Sequence, residues 1–362
     1  MAEAFTPAAT MSLDAARRPA RLPHPVIAGV ATATPERSFD QAQMLDLLGL
    51  TGDTFAESVF ARCGVRTRGL EVSPKLLETT LQQRAQSTEH ALMRLATRAV
   101  GALGCDLDEV GVVVTASYYS LGGPTLAHRL VDHYDLRPDT DKYHLVGVGC
   151  ASSVPLLRLA AQALRDRPGD KALIVAAESV GGFLTPCRAG DEPVKVVGSA
   201  LFGDGAAAAL LSLEPEAQGP AIVDTAVHQL PGTLGHVRFN VTAEDSHMEM
   251  SRELPTIAEH DVPDLVEAFL GRHGLDTEAI DHWPLHPGGQ GIIAGLQRGL
   301  NLTDDDIAPS AGVLAAHGNV GTPSALFVLQ RTIAERTPCA GDLGLAITIG
   351  PGVTAGLMLL QW

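Results

Sequence analysis

Tyr143-His-Leu-Val-Gly-Val-Gly-Cys150-Ala-Ser-Ser-Val-Pro-Leu-Leu-Arg-Leu-Ala-Ala-Gln-Ala-Leu164 reads as a short apolar strand, a glycine turn, a cysteine and then a helix. Leu156, Leu157, Ala160, Ala161 and Leu164 follow the spacing of a buried helical stripe. Ser152 or Ser153 suits the helix cap and Pro155 its first turn, which sets Cys150 at or just before the helix start. Free N–H groups and the positive end of the helix dipole favour a thiolate there. Cysteine is also among the most buried residue types, so the position alone fits a packing thiol or a nucleophile.

Working outward, ordered structure is expected to begin at Pro25-Val-Ile-Ala-Gly-Val-Ala-Thr32, a strand. Helices are expected over Gln41–Leu50 and Thr79–Leu103, the second with Ala91, Leu92, Leu95, Ala96, Ala99 and Leu103 on one face. Val110–Ala116, Leu173–Glu178 and Gly203–Leu213 are apolar on both faces, the pattern of buried strands in a parallel-type sheet. Strands alternating with helices give an α/β layered fold. Arg62, Arg66 and Arg68 cluster in an otherwise acidic chain, either as a solvated basic face or as a local anion site.

The second half repeats the order of the first. Leu107-Asp-Glu-Val110 resembles Asp276-Thr-Glu-Ala-Ile280, an offset of 170 (280 − 110). Gly149-Cys150-Ala-Ser-Ser-Val resembles Gly318-Asn319-Val-Gly-Thr-Pro, an offset of 169 (319 − 150). Gly203-Asp-Gly205 with its apolar run resembles Gly350-Pro-Gly352 with its own. Three matches in one order imply a duplicated βαβ unit. The expected organisation is an extension over 1–24, one half over 25–215 and a second over 220–362, divided near Glu214–Pro220. Cys150 and Asn319 then head equivalent helices that face a shared cleft, and His286, just after a short apolar strand, reaches the same rim. Thiol, imidazole and amide together suit acyl transfer: a nucleophile, a group to hold its proton, and donors for an oxyanion.

Composition narrows the alternatives. The chain has 362 residues, 45% of them hydrophobic but only 4% aromatic, with a net charge of −16. That charge disfavours nucleic acid and anionic membranes as partners, and no apolar run approaches the roughly 18 residues of a membrane span. Five cysteines (Cys63, Cys105, Cys150, Cys187 and Cys339) are scattered without CxxC spacing. A zinc site or disulfide framework is not expected, and a reducing cytoplasm is. Except for Cys150 they are expected to pack. The N-terminus lacks the apolar core of a secretory signal.

Gly149-Cys150-Ala, Ala200-Leu-Phe-Gly-Asp-Gly-Ala-Ala-Ala208, His286-Pro-Gly-Gly289, His317-Gly-Asn319 and Ile349-Gly-Pro-Gly352 occur in this order. As a set they resemble the thiolase superfamily, and within it the type III polyketide synthases, which are chalcone-synthase-like. The resemblance implies a thiolase-like fold of duplicated halves in an αβαβα arrangement. It implies Cys150 as nucleophile, with His286 and Asn319 driving decarboxylation of a malonyl thioester. Asp204 resembles a structural loop residue and stays outside the catalytic set. Acyl-CoA and malonyl-CoA are the implied substrates, no cofactor or metal is implied, and a homodimer is expected. His-Pro-Gly-Gly is closer to this pattern than to ketoacyl synthase III, whose substrates come from an acyl carrier protein and which stands as the alternative. Phe183 and Gly352 are expected at the substrate cavity, and Arg62, Arg66 and Arg68 at the tunnel mouth as partners of CoA phosphates. Ile349 precedes the Gly-Pro-Gly where the family usually has Phe, and Gly stands near Ser120–Pro124 where an apolar residue is usual. These departures leave starter and chain length open and allow large acyl groups.

Overall fold

A computed structural model describes residues 23–120, 122–184, 193–241 and 246–362. Most of the expected N-terminal extension, Cys187 and Leu121 lie outside the described residues.

The strands are β1 (Val26–Ala33), β2 (Ser38–Asp40), β3 (Thr67–Gly69), β4 (Val110–Ala116), β5 (Asp141–Leu145) and β6 (Lys171–Glu178). They continue with β7 (Gly205–Ser212), β8 (Ala221–Gln229), β9 (Val237–Val241), β10 (Ser246–Met250), β11 (Leu343–Gly350) and β12 (Thr354–Gln361). The helices begin with α1 (Gln41–Leu47), α2 (Thr54–Arg62), α3 (Pro74–Leu77), α4 (Leu81–Leu103), α5 (Leu126–His133) and α6 (Ser153–Leu164). After them come α7 (Pro193–Leu201), α8 (Leu254–His260), α9 (Val262–Gly271), α10 (Gln290–Gly299), α11 (Asp304–His317) and α12 (Ser324–Arg336).

Eight strands pair in the order β11-β12-β8-β1-β7-β6-β4-β5. Two portions meet where β1 and β8 share the single pair Val26–Ala221. In the first, β7 lies between β1 and β6; in the second, β12 lies between β8 and β11, and all four contacts are antiparallel. Leu285 bridges Ile347 in parallel, so the segment before His286 extends the second portion as β4 extends the first. β4 is parallel to both its neighbours and buried along its whole length, as its sequence predicts. β7 is equally buried but antiparallel on both sides, because an apolar run reports which faces are covered and not the direction of the neighbours.

Layering follows from the apolar faces. Leu156, Leu157, Ala160 and Leu164 of α6 and Leu326, Phe327 and Leu329 of α12 share one core with residues of β4, β6, β7, β11 and β12, so both helices lie between the sheet portions. Leu92, Leu95, Ala96 and Ala99 of α4 cover the outer face of the first portion together with α5. Helices α8, α9 and α10 cover the outer face of the second. The result is the αβαβα arrangement. α4 begins two residues after the sequence-based start because Thr80 and Gln83 form a capping box, and it ends at Gly104 in the left-handed conformation.

Candidate active site

Cys150 sits in a single 3-10 turn, Gly149–Ala151, between β5 and α6. Gly149 has φ +61°, and a side chain there would also meet the Pro351 ring at 3.1 Å. From the other side, a Cβ on Gly350 would come within 2.5 Å of the Ala151 nitrogen. The Gly-Pro-Gly segment is therefore pressed against the nucleophile's turn, and glycine at 350 is a condition of that fit. The two serines do not cap α6. Ser152 Oγ donates to the Gly149 carbonyl at 2.6 Å, and Ser153 Oγ reaches across to the Thr322 carbonyl at 3.0 Å. They tie the turn to itself and to the head of α12. Gly352 has φ +123° and its carbonyl accepts from Thr233 Oγ1 at 3.0 Å. It shapes the turn, while Ile349, Gly350 and Pro351 line the cavity beside Cys150, so the expectation of Gly352 at the cavity wall is corrected.

Asn319 is 2% exposed. Gly318 (φ +70°) packs where a Cβ would lie 2.5 Å from the Leu201 carbonyl, and Asn319 N–H donates to that same carbonyl at 3.0 Å. The side-chain oxygen accepts from Gly321 N–H at 2.9 Å and from Ser324 Oγ at 3.1 Å. With the oxygen so committed, the amide nitrogen is the group free to donate into the cavity; it lies 3.8 Å from Cys150 Sγ.

His286 is 1% exposed, and its main chain is fixed by donation from its N–H to the Ile347 carbonyl at 2.8 Å. A Cβ on Gly288 would stand 2.8 Å from the imidazole Cδ2, so the first glycine of His-Pro-Gly-Gly makes room for the ring. His286 Nδ1 has no hydrogen-bond partner among the described residues. Cys150, His286 and Asn319 line one cavity of about 40 Å³, so all three sequence-predicted residues face the same space.

Burial sets the electrostatics. The Cys150 thiol, half-buried and lining this cavity, is pushed up to about 12 by desolvation and then by the Glu178 carboxylate, against a lowering contribution from Asn319. Desolvation pulls the His286 imidazole down to about 3. Each ion formed alone is costly. Passing the proton from Sγ to the imidazole forms both ions together, with opposite charges and the thiolate at the head of α6, so the two penalties partly offset. Burial thus favours the neutral form of each group taken alone.

Glu178, at the end of β6, also lines the cavity and escaped the sequence reading. Its carboxylate accepts from Tyr118 N–H at 2.8 Å, from Ser117 Oγ at 3.2 Å and from Thr322 Oγ1, yet burial raises it to about 7. The available signal was a lone acid ending a run of apolar residues. Asp204 accepts from the N–H groups of Glu71 (2.7 Å), Val180 (2.6 Å) and Gly181 (3.1 Å) and from Ser179 Oγ (3.0 Å), as befits a loop clamp.

Outside this cavity, a groove of about 580 Å³ shares Met250, Leu254, Gly288 and Ile292 with it. Arg62 lines the groove together with Arg252, which the sequence reading missed. Arg66 is exposed and is not among the lining residues. Arg68 is fully buried, donating to the Phe202 carbonyl at 3.2 Å and Gln41 Oε1 at 3.3 Å, so it cannot meet a phosphate at the mouth. Phe183 is buried behind Tyr119, with ring centroids 4.7 Å apart, and does not itself line the cavity. Among the described residues no group of three or more His, Cys, Asp or Glu stands placed to hold a metal ion, and no helix is long and apolar enough to cross a membrane.

Comparison with known proteins gives a consistent picture. Residues 34–251 match the family model for FAE1/type III polyketide synthase-like proteins, and residues 221–362 match the C-terminal domain of chalcone and stilbene synthases. A 3,5-dihydroxyphenylacetyl-CoA synthase of Streptomyces toyocaensis is 26% identical, over 94% of this chain and 90% of the relative. Type III polyketide synthase A of Arabidopsis thaliana is 30% identical, over 78% of this chain and 74% of the relative. The crystal structure of PKS-I from the brown alga Ectocarpus siliculosus superposes with a TM-score of 0.85 at 24% identity, covering 95% of this chain and 100% of that one.

Proposed function

Since this chain belongs to the type III polyketide synthases, acyl-transferring condensing enzymes related to chalcone and stilbene synthases, we propose that it joins an acyl-CoA starter to malonyl-CoA-derived units through a thioester on Cys150. The observation that carries this reading is the meeting of Cys150, His286 and Asn319 in one buried cavity, with the Asn319 amide 3.8 Å from the sulfur.

The steps follow from what each group offers. The CoA arm lies in the outer groove, with the guanidinium groups of Arg62 and Arg252 available to its phosphates. Cys150 passes its proton to His286 and attacks the thioester carbonyl. Asn319 Nδ2 and the imidazole N–H face the developing oxyanion, and the CoA thiolate leaves with the proton held by His286. A malonyl thioester then enters. Its C–C bond to the carboxylate breaks, carbon dioxide leaves, and the electron pair becomes an enolate whose oxygen the same two donors hold. The enolate carbon attacks the acyl carbonyl, a C–C bond forms, and Cys150 departs as thiolate. In this scheme the protein's own groups and the CoA thioesters supply all the chemistry.

We assign the reaction to a reducing cytoplasm and the working form to a homodimer. The edge of β5, which among the described residues pairs only with β4 and carries exposed Tyr143 with exposed Val146 just beyond it, offers the surface for a second copy. Sedimentation of the purified chain tests that assignment.

The test of function is intact-mass measurement after exposure to acyl-CoA and, separately, to an acyl carrier protein bearing the same acyl group. Acylation of Cys150 from CoA supports the proposal. Acylation from the carrier alone would favour a ketoacyl synthase III-like enzyme, and no adduct from either would reject both.

A further inference from the structure

The wall of the cavity beside Cys150 includes Tyr118 and Tyr119, which belong to a cluster of four aromatic rings. Tyr119, 7% exposed, stacks on Phe183 with centroids 4.7 Å apart and planes at 29°. It meets Phe239 edge-on at 5.1 Å and Tyr118 at 5.9 Å. Phe239 in turn meets Tyr118 at 5.3 Å. The chain has only 9 Phe and 4 Tyr, and four of these come together here from three separate segments: the loop after β4, the turn after β6, and β9. Such edge-to-face and offset contacts hold one another rigidly in place.

The space left in front of this wall is small. About 40 Å³ remains beside Cys150 among the described residues, against about 580 Å³ in the outer groove by the same measure. The larger space is the outer groove that shares Met250, Leu254, Gly288 and Ile292 with the cavity and in which the CoA arm is placed above. Large acyl groups, which the glycines near Ser120–Pro124 allow on sequence grounds, therefore find little room in this cavity. Tyr119 is the ring that touches all three others and the cavity at once.

Resting on the condensing reading above, we infer that Tyr119 is a specificity-determining residue: its ring ends the acyl pocket and restricts the group carried on Cys150 to short acyl chains. A longer chain has to displace a ring that three others hold. Overfilling a packed site in this way is expected to slow loading by about tenfold.

The experiment offers acetyl-, butanoyl-, octanoyl- and dodecanoyl-CoA separately to the full chain and follows acylation of Cys150 by intact mass. The unaltered protein is expected to load octanoyl at least about tenfold more slowly than butanoyl. In Tyr119→Ala the octanoyl-to-acetyl ratio is expected to rise by about tenfold or more, whereas Tyr119→Phe, which keeps the ring and loses the hydroxyl, keeps the original ratio. Where circular dichroism shows that Tyr119→Ala has not folded, Phe239→Leu loosens the same wall and is expected to shift the ratio the same way. Equal loading of acetyl and dodecanoyl by the unaltered protein, or an unchanged ratio in the folded wall variants, overturns the length limit and leaves the condensing reading standing. No labelling by any of the four thioesters overturns both.

Discussion

Replacing His286 by Gln tests the proton transfer from Cys150 most sharply, because the substitution keeps the cavity filled and polar while removing the base. Without an imidazole to take the proton, the thiol has to ionise alone, with its pKa pushed up to about 12. At pH 8 the thiolate fraction is then about one in ten thousand, against about a quarter for an ordinary thiol titrating near 8.5. A more basic thiolate is intrinsically more reactive, with a slope of about 0.4–0.5 per pKa unit, which returns about fortyfold over the difference. The net expectation is alkylation about sixtyfold slower than for an unperturbed cysteine. The assay is iodoacetamide labelling from pH 6 to 10, resolved by peptide mass, with exposed Cys339 as internal reference. In the unaltered protein the Cys150 rate is expected to level off below about pH 8, since the proton goes to His286. In His286→Gln it is expected to climb about tenfold per pH unit with no plateau. Identical pH profiles for the two proteins would refute the coupling of sulfur and imidazole.

Three further outcomes follow. Asn319→Ala removes the donor beside the sulfur and is expected to slow decarboxylative condensation by about 10²–10³, read as carbon dioxide release from malonyl-CoA. Gly350→Ala drives a methyl group against the Ala151 nitrogen and is expected to destabilise the fold by about 1–3 kcal/mol, seen as a lower urea midpoint. Stability is expected to depend on pH in two opposed ways. The His286 pKa is lowered to about 3, so the unfolded chain binds the extra proton and stability falls as pH drops from about 6.5 toward 3, by up to about 5 kcal/mol. The Glu178 pKa is raised to about 7, so its contribution is intact below about pH 4.5 and is lost as pH rises through 7, by about 3 kcal/mol. Glu178→Gln is expected to abolish that second loss in urea titrations across pH 5 to 8.

Much of this organisation is written in local pattern. The run Val110–Ala116 is apolar on both faces, and burial on both faces is what the fold imposes on β4. The offset of 169 that relates Cys150 to Asn319 has a spatial meaning: these two side chains meet, and Ser153 bonds to Thr322 at the same separation, so equivalent residues of the two helix heads touch across a common centre. Other features depend on contacts distant in sequence. Ser152 and Ser153 look like helix caps, but the Gly149 and Thr322 carbonyls take their hydroxyls instead. Arg68 reads as one of three surface cations until β3 carries it beneath Phe202. Glu178 gains its role only where β6 ends beside Tyr118 and Thr322. The β9–β10 pair, whose Val237, Met248 and Met250 line the cavity, carries the alternation of apolar and polar residues that marks a half-buried strand, a signal present in Val237–Val241 and Ser246–Met250 but short enough to be passed over.

The central claim is that one buried cavity loads an acyl group on Cys150 and then extends it. It is tested most directly by isolating the Cys150 acyl-enzyme, adding malonyl-CoA labelled at its central carbon, and following protein and thioester masses in the same quenched samples. The acyl group is expected to leave Cys150 as it appears, lengthened by a labelled two-carbon unit, in a new thioester, with one carbon dioxide released for each bond formed. Carbon dioxide release while the original acyl group stays on the cysteine, or a lengthened product formed equally well by Cys150→Ala, would contradict it.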